Sequence, residues 1–234
     1  MNNLNFIYTK LYSHFGSQKW WPVTEKGKIH PEYSDGPKNG KQQLEVIFGA
    51  ILAQNTTWKN AEKAIIELNR NNLIDAKKIL NISNEKLSKI IRSSGYHNQK
   101  TKKLKNFCNF LLGNYDGSLN ALFKVNIKRL RQELLSVNGI GPETADSIIL
   151  YAAKKPIFVI DAYAKRIMNR VGFKEASYDE LQQLFMKSLP NSEKLFNEYH
   201  ALLVELGKNI CKKQPLCNKC PINKCCNYNT ATSK

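Results

Sequence analysis

LLSVNGIGPETADSIILYA, Leu134 to Ala152, is the stretch on which the reading of the whole chain turns. One apolar-patterned segment runs into Asn138, two glycines flank Ile140, and Pro142 opens a second apolar-patterned segment. Glycine allows a tight turn with its backbone bared. Proline suits the first turn of a helix, where its missing N–H is no loss. Amides at a helix start attract phosphate. The stretch is therefore either an ordinary corner between two helices or a turn shaped for close approach by a phosphate. Glu143 stands one step into the second helix, and an acid there calls for an explanation from elsewhere in the chain.

Outward from the turn, the bulk composition favours an anionic partner. The chain has 234 residues, 42% of them apolar, and a formal net charge of +17 from 36 basic and 19 acidic residues. That supports a real core and points to nucleic acid first and an acidic membrane surface second. The longest apolar runs, SIILYAA and PIFVI, are far too short to span a bilayer. The first residues, MNNLNFIYTKLYSHFG, lack the apolar core of a signal peptide. The expected location is the cytoplasm, at the nucleoid.

The patterning is helical almost throughout, and the expected fold class is all-α. KQQLEVIFGAILAQ (41–54) carries Leu44, Ile47, Phe48, Ile51 and Leu52 on one stripe. Trp58, Ala61, Ile65 and Leu68 repeat it. Further helices are expected at 74–80, 84–93, 99–113 and 127–136, then along Ala145, Ile148, Ile149 and Ala152, and at 162–172, 178–188 and 192–209. Ser177 and Glu180 have capping-box spacing, and Asn191 is a candidate cap. KPIFVID is the best candidate strand. Residues 22–41, rich in Gly, Pro and charge, read as a long loop that either lies on the surface or links two lobes, and the final NTATSK should fray. The run QKTKKLK at 99–105 is either a nucleic-acid contact or a solvated helix face.

Three more features carry chemistry. Asp161, in VIDAYAKRI, sits where a short extended piece meets a helix. It is either a plain N-cap or a carboxylate that stabilises an oxocarbenium-like cation and orients water. Cys211, Cys217, Cys220 and Cys226 form a compact terminal set that can hold one [4Fe–4S] cluster or one zinc ion, with Cys225 a possible competitor. Cys108 reads as a small buried hydrophobe. Trp20, Trp21 and Trp58, all the tryptophans of the chain, are either core filler or the walls of a slot for a flipped base.

Taken in order, the ILAQNTT helix end, the GIG turn, the VID aspartate and the four-cysteine tail resemble the endonuclease III superfamily of helix-hairpin-helix DNA glycosylases, from about Leu44 to Cys226. The resemblance implies two helical lobes, one spanning 36–155 with the hairpin motif at about 131–153, the other joining 1–35 to 156–234 with a cluster loop at 211–226. It implies a monomer acting on double-stranded DNA that contains a damaged base, with no membrane partner. Asp161 matches the essential aspartate. Gly139, Ile140 and Gly141, with Thr144, match the part that grips DNA, and Gln54, beside Asn55, matches the residue that fills the hole left by the extruded nucleotide. The four cysteines match the ligands of a [4Fe–4S] cluster, favoured over zinc, although the first gap is one residue shorter than the best-known pattern. Members that also cut the strand carry a lysine in the position that Glu143 occupies here. WWP, QNTTW, SGYHNQKTKKL and GIGPETAD resemble the 3-methyladenine branch, which implies a pocket lined by Glu143, Trp58 and one of Trp20 or Trp21. The expected activity is hydrolysis of the bond to an alkylated base without strand cutting. An endonuclease III-type glycosylase and abasic-site lyase for oxidised or mismatched bases stands as the alternative, and a non-catalytic DNA-binding module with a metal-bound tail as a second.

Overall fold

The computed structural model describes residues 4–173 and 176–228. The NTATSK tail lies outside them. The chain divides into two compact units, 21–155 and 1–20 together with 156–234.

Unit 21–155 is built around α2 (Gly40–Leu52). Every residue of α2 from Leu44 to Leu52 is buried, so it is a central helix packed on all sides and not an amphipathic surface helix. Around it lie α3 (Trp58–Arg70), α4 (Ala76–Asn81), α5 (Asn84–Ile90), α6 (His97–Tyr115), α7 (Leu119–Lys124), α8 (Ile127–Ser136) and α9 (Pro142–Ser147). The N-cap side chains Asn39, Asp75, Ser83, Ser118 and Asn126 each accept a backbone N–H, which explains why so many short helices begin cleanly.

The segment expected to be a long loop holds the strands found among the described residues, an antiparallel pair of Val23–Thr24 and Pro31–Glu32. It is fastened to α2 by Glu45, whose buried carboxylate accepts from Thr24 N–H at 2.7 Å and Asn69 Nδ2 at 2.8 Å. Burial pushes the Glu45 carboxyl up from its usual range, and those hydrogen bonds oppose the shift. Residues 21–35 thus belong with the central helix, and the unit boundary falls at 20/21 instead of 35/36.

The expected regular stripe after the GIG turn is also different. α9 passes into a π-turn at Ile148–Ala152, and every residue from Thr144 to Ala152 is buried. A segment enclosed on all sides has no stripe to keep in register, and the wider turn spreads these apolar side chains around the axis.

In the other unit, α1 (Leu4–Phe15) packs on α12 (Glu193–Asn209), beside α10 (Ala162–Val171) and α11 (Tyr178–Ser188). The Tyr199 hydroxyl donates to Leu4 O at 2.9 Å, and the Phe158 and Phe185 rings stack at 3.9 Å. The Ser177–Glu180 capping box is formed. Ser192, not Asn191, caps α12. KPIFVID is not a strand. Ile157 to Ile160 are all buried as a central strand would be, yet among the described residues no strand pairs with them, and Phe158 O instead accepts from Gln182 Nε2 at 2.6 Å. No helix among the described residues is long and apolar enough to cross a membrane.

Candidate functional site

Unit 21–155 carries the turn and the residues docked on it. α8 ends at Ser136, and the Ile140 N–H donates to Val137 O at 3.0 Å, which closes the turn. Ile140 is 5% exposed, so what it offers at the surface is backbone. The two glycines do different work. Gly139 has φ +98°, and a Cβ there would lie 2.4 Å from Lys103 Cγ. Gly141 has ordinary extended backbone and open space around it, and it stands as the N-cap of α9. The Arg131 guanidinium grips the fully buried Asp146 carboxylate with two hydrogen bonds, 2.8 and 3.1 Å, which fixes α8 against α9.

Gln54 follows the C-cap of α2, and its side chain lies on the turn. Its Nε2 donates to Gly139 O at 3.1 Å and to Thr144 Oγ1 at 2.8 Å, while Lys103 Nζ donates to its Oε1. The structure therefore brings Gln54, Gly139 and Thr144 together, with Lys103 as a fourth member. In sequence Lys103 was one of four lysines in a charged run, and nothing local singled it out. Asn55 is exposed with φ +53° and takes no part in this network. Glu143 is exposed on the first turn of α9.

The tryptophans depart from the expected slot. Trp21 is buried against Gly49, whose missing side chain makes room for the indole. It meets Trp58 edge to face, with ring centroids 5.1 Å apart and planes at 84°, and contacts Tyr151 at 5.2 Å. Two parallel faces are not presented between Trp21 and Trp58, because Trp21 serves as core packing. Trp58, at the start of α3, and Trp20 are each half-buried, and Trp20 falls in the other unit.

In that unit Asp161 is the N-cap of α10. Its Oδ1 accepts from Ala164 N–H at 2.7 Å, and its Oδ2 lies 3.9 Å from His200 Nε2. The two readings of Asp161 are thus compatible, since capping uses one oxygen. His200, on the buried face of α12, was not found from the sequence, where it is a lone histidine in an apolar helix. Burial pushes its imidazole below the usual value, with Asp161 pulling the other way, so it is neutral at neutral pH.

The six cysteines form no disulfides. Cys211, Cys217, Cys220 and Cys226 line one cavity together with Arg170, Leu216 and Tyr228. Burial raises the Cys220 thiol to about 11, and Cys211, Cys226 and Cys217 lie close enough to add to the shift. Cys225 turns away, its Sγ directed at Ile222 O. Arg170 donates to Cys211 Sγ at 3.1 Å and to the Lys212 and Lys213 carbonyls, which folds the loop back on α10. Among the described residues no three His, Cys, Asp or Glu side chains converge tightly enough to hold a single metal ion.

Residues 48–191, which contain the turn, Gln54 and Asp161, match the family described as HhH-GPD superfamily base excision DNA repair protein. The chain belongs to the HhH-GPD superfamily. It is an all-α DNA glycosylase of base excision repair. The HhH-GPD chain is 43% identical over 224 residues, 94% of each chain, to a protein of Methanocaldococcus jannaschii provisionally named a DNA repair glycosylase. It is 29% identical to the endonuclease III of Thermotoga maritima, over 82% of this chain and 87% of that one. Among solved structures it is similar to the H. pylori 3-methyladenine DNA glycosylase bound to 1,N6-ethenoadenine, with a TM-score of 0.71 and 27% identity, covering 89% of this chain and 98% of that one.

Proposed function

We propose that this glycosylase releases an alkylated purine of the 3-methyladenine kind by hydrolysis and does not cut the strand. The observation that carries the reading is the first turn of α9. Pro142–Ser147 contains an acid at Glu143 and no lysine. A carboxylate cannot form the imine through which a lyase cleaves.

A purine alkylated on a ring nitrogen is cationic and leaves readily. Glu143 adds attraction for positive charge, and the half-buried Trp58 indole offers a face of the kind that binds cations. In the reaction the bond between the sugar carbon and the base nitrogen breaks, and its electron pair neutralises the departing purine. The sugar is left as an oxocarbenium-like cation, which Asp161 stabilises. Water then bonds to that carbon and gives its proton to the second oxygen of Asp161, which passes it to solvent. One oxygen of Asp161 is held by the Ala164 N–H. That fixes the plane of the carboxylate and leaves the second oxygen for the cation or the water. Gly139, Ile140 and Gly141 present backbone to a DNA phosphate. Gln54, which lies on the turn through its bonds to Gly139 O and Thr144 Oγ1, enters the duplex when the base leaves it.

The four thiols fit a [4Fe–4S] cluster better than zinc. They surround a common cavity, and Cys225 is turned out of it, which leaves four thiols for the four corners of one cluster. Bound there, the cluster supplies a cross-link that shapes the 211–226 loop. It takes no part in breaking the glycosidic bond.

Asp161→Asn tests the chemistry. Asparagine caps a helix as well as aspartate does, so stability should change by less than about 1 kcal/mol. Base release should vanish while duplex binding persists, and full release by the variant would overturn the mechanism. The similarity to endonuclease III favours a second reading, a glycosylase with lyase activity on oxidised bases. The Lys103 ammonium beside the turn is committed to Gln54 and is not positioned as a nucleophile.

A further inference from the structure

We infer that the exposed face of α6 is a second DNA-backbone subsite, separate from the GIG turn and reached along a groove that runs up to it. That its ligand is DNA follows from the chain's membership of the glycosylase superfamily. Gln99, Lys102, Lys103 and Asn106 fall at i, i+3, i+4 and i+7 on α6, so they share one face. With Asn84, Lys105 and Asn138 they line an open groove of about 460 Å³. Its lining is three lysines and four amides, with no carboxylate. Asn138 belongs to the turn itself, and Asn106 Nδ2 donates to Asn138 O at 3.0 Å, which makes the groove wall continuous with the turn.

A merely solvated helix face looks different elsewhere in this unit. Lys89 pairs with Glu85, and Arg129 with Glu133, each four residues apart. α6 carries four lysines and no acid in its 19 residues. Like charges at such spacing cost helix stability, so the arrangement suits an anion brought from outside.

The lysines divide by role. Lys105 donates to Leu80 O and Ile82 O and is a structural tie. Lys103 holds Gln54 and supports Gly139 with its stem. Lys102 is exposed and makes no ion pair with any acid among the described residues. It is the cation free to meet a phosphate, with the amides of Gln99, Asn106 and Asn138 as neutral donors around it. Amides and lysine recognise backbone without reading sequence, which is what a positioning subsite requires.

The test is the salt dependence of binding to an undamaged duplex, followed by fluorescence anisotropy across a KCl series with the full chain. Lys102→Gln should reduce the slope of log K against log [KCl] by about 0.9, the value of one lost phosphate contact. Lys102→Arg should keep the wild-type slope, and Lys63→Gln, an exposed lysine outside the groove, should also leave it unchanged. An unchanged slope in Lys102→Gln, or an equal fall in Lys63→Gln, would overturn the subsite. Base release from alkylated duplex, measured in parallel at saturating protein, separates the two proposals. Its absence in the wild type would count against the alkylated-purine reading, while the slope comparison would still decide the subsite.

Discussion

Substituting the two turn glycines one at a time should give unequal results, although the sequence shows them as a symmetric pair. Gly139→Ala forces an L side chain to φ +98° and drives its Cβ to 2.4 Å from Lys103 Cγ. The left-handed backbone costs about 1–2 kcal/mol. Relieving the clash moves the Lys103 stem and breaks its bond to Gln54 Oε1. A hydrogen bond to a charged group contributes about 1.5–3 kcal/mol, and the half-buried setting puts this one at the low end. The sum is a loss of about 2–4 kcal/mol. Gly141→Ala meets nothing within 4 Å at ordinary backbone angles, and only the poorer N-cap that alanine makes weakens the fold, by less than about 1 kcal/mol. Urea unfolding of both variants, at constant m, gives the two values, and anisotropy on duplex DNA shows whether the turn still binds. Equal destabilisation, or a larger loss at Gly141, would refute the claim that Gly139 is fixed by Lys103 and Gln54.

Two further outcomes follow from the other unit. Cys217→Ser should abolish bound iron and the visible absorbance of the purified protein, while Cys225→Ser should retain both, because Cys225 Sγ points at Ile222 O and away from the shared cavity; iron content of each variant checks this, and loss of iron in Cys225→Ser would reassign the fourth ligand. Burial holds the folded-state value of His200 below its ordinary 6.5, so on acidification the unfolded chain takes up the proton first. Stability present above about pH 6.5 should therefore fall as the pH drops through the folded value. Urea midpoints between pH 7 and 5 should show a shallower decline in His200→Gln than in the wild type.

What the sequence revealed about this molecule depended on whether a signal was local. Cap residues act on their own backbone neighbours, and the Ser177–Glu180 box was legible for that reason. The turn was legible because glycine and proline restrict the chain at their own positions. Three features that the sequence left open or misplaced share a different origin. Ile157–Ile160 has the apolar content of a buried strand, but a strand needs a partner, and pairing is not written in a single segment. The loop at 22–41 was charged enough to look solvated, yet the buried Glu45 supplies the acceptor that fastens it. Trp58 with one of Trp20 or Trp21 read as a slot or as core filler, and for Trp21 the choice is made by Gly49 and Tyr151, which pack it in the core edge-on to Trp58. The helices α1 and α7 were missed because aromatic and polar residues blur their stripes. At the candidate site, the sequence singled out Gln54, Thr144 and Asp161, and in the structure the first two meet at the turn while the third caps α10. Lys103 and His200 were not, because each acts on a residue distant in sequence, Gln54 at 49 positions and Asp161 at 39.

Glu143 stands where the resemblance puts the lysine of strand-cutting members, and its consequence can be measured directly. The direct measurement gives purified protein matched duplexes carrying an alkylated, an oxidised, a deaminated or a mismatched base, and assays each with and without alkali and with borohydride present. The account predicts release of the alkylated purine, strand breaks only after alkali, and no covalent protein–DNA adduct with borohydride. Strand breaks without alkali, a trapped adduct, or activity confined to the oxidised or mismatched duplexes would contradict it.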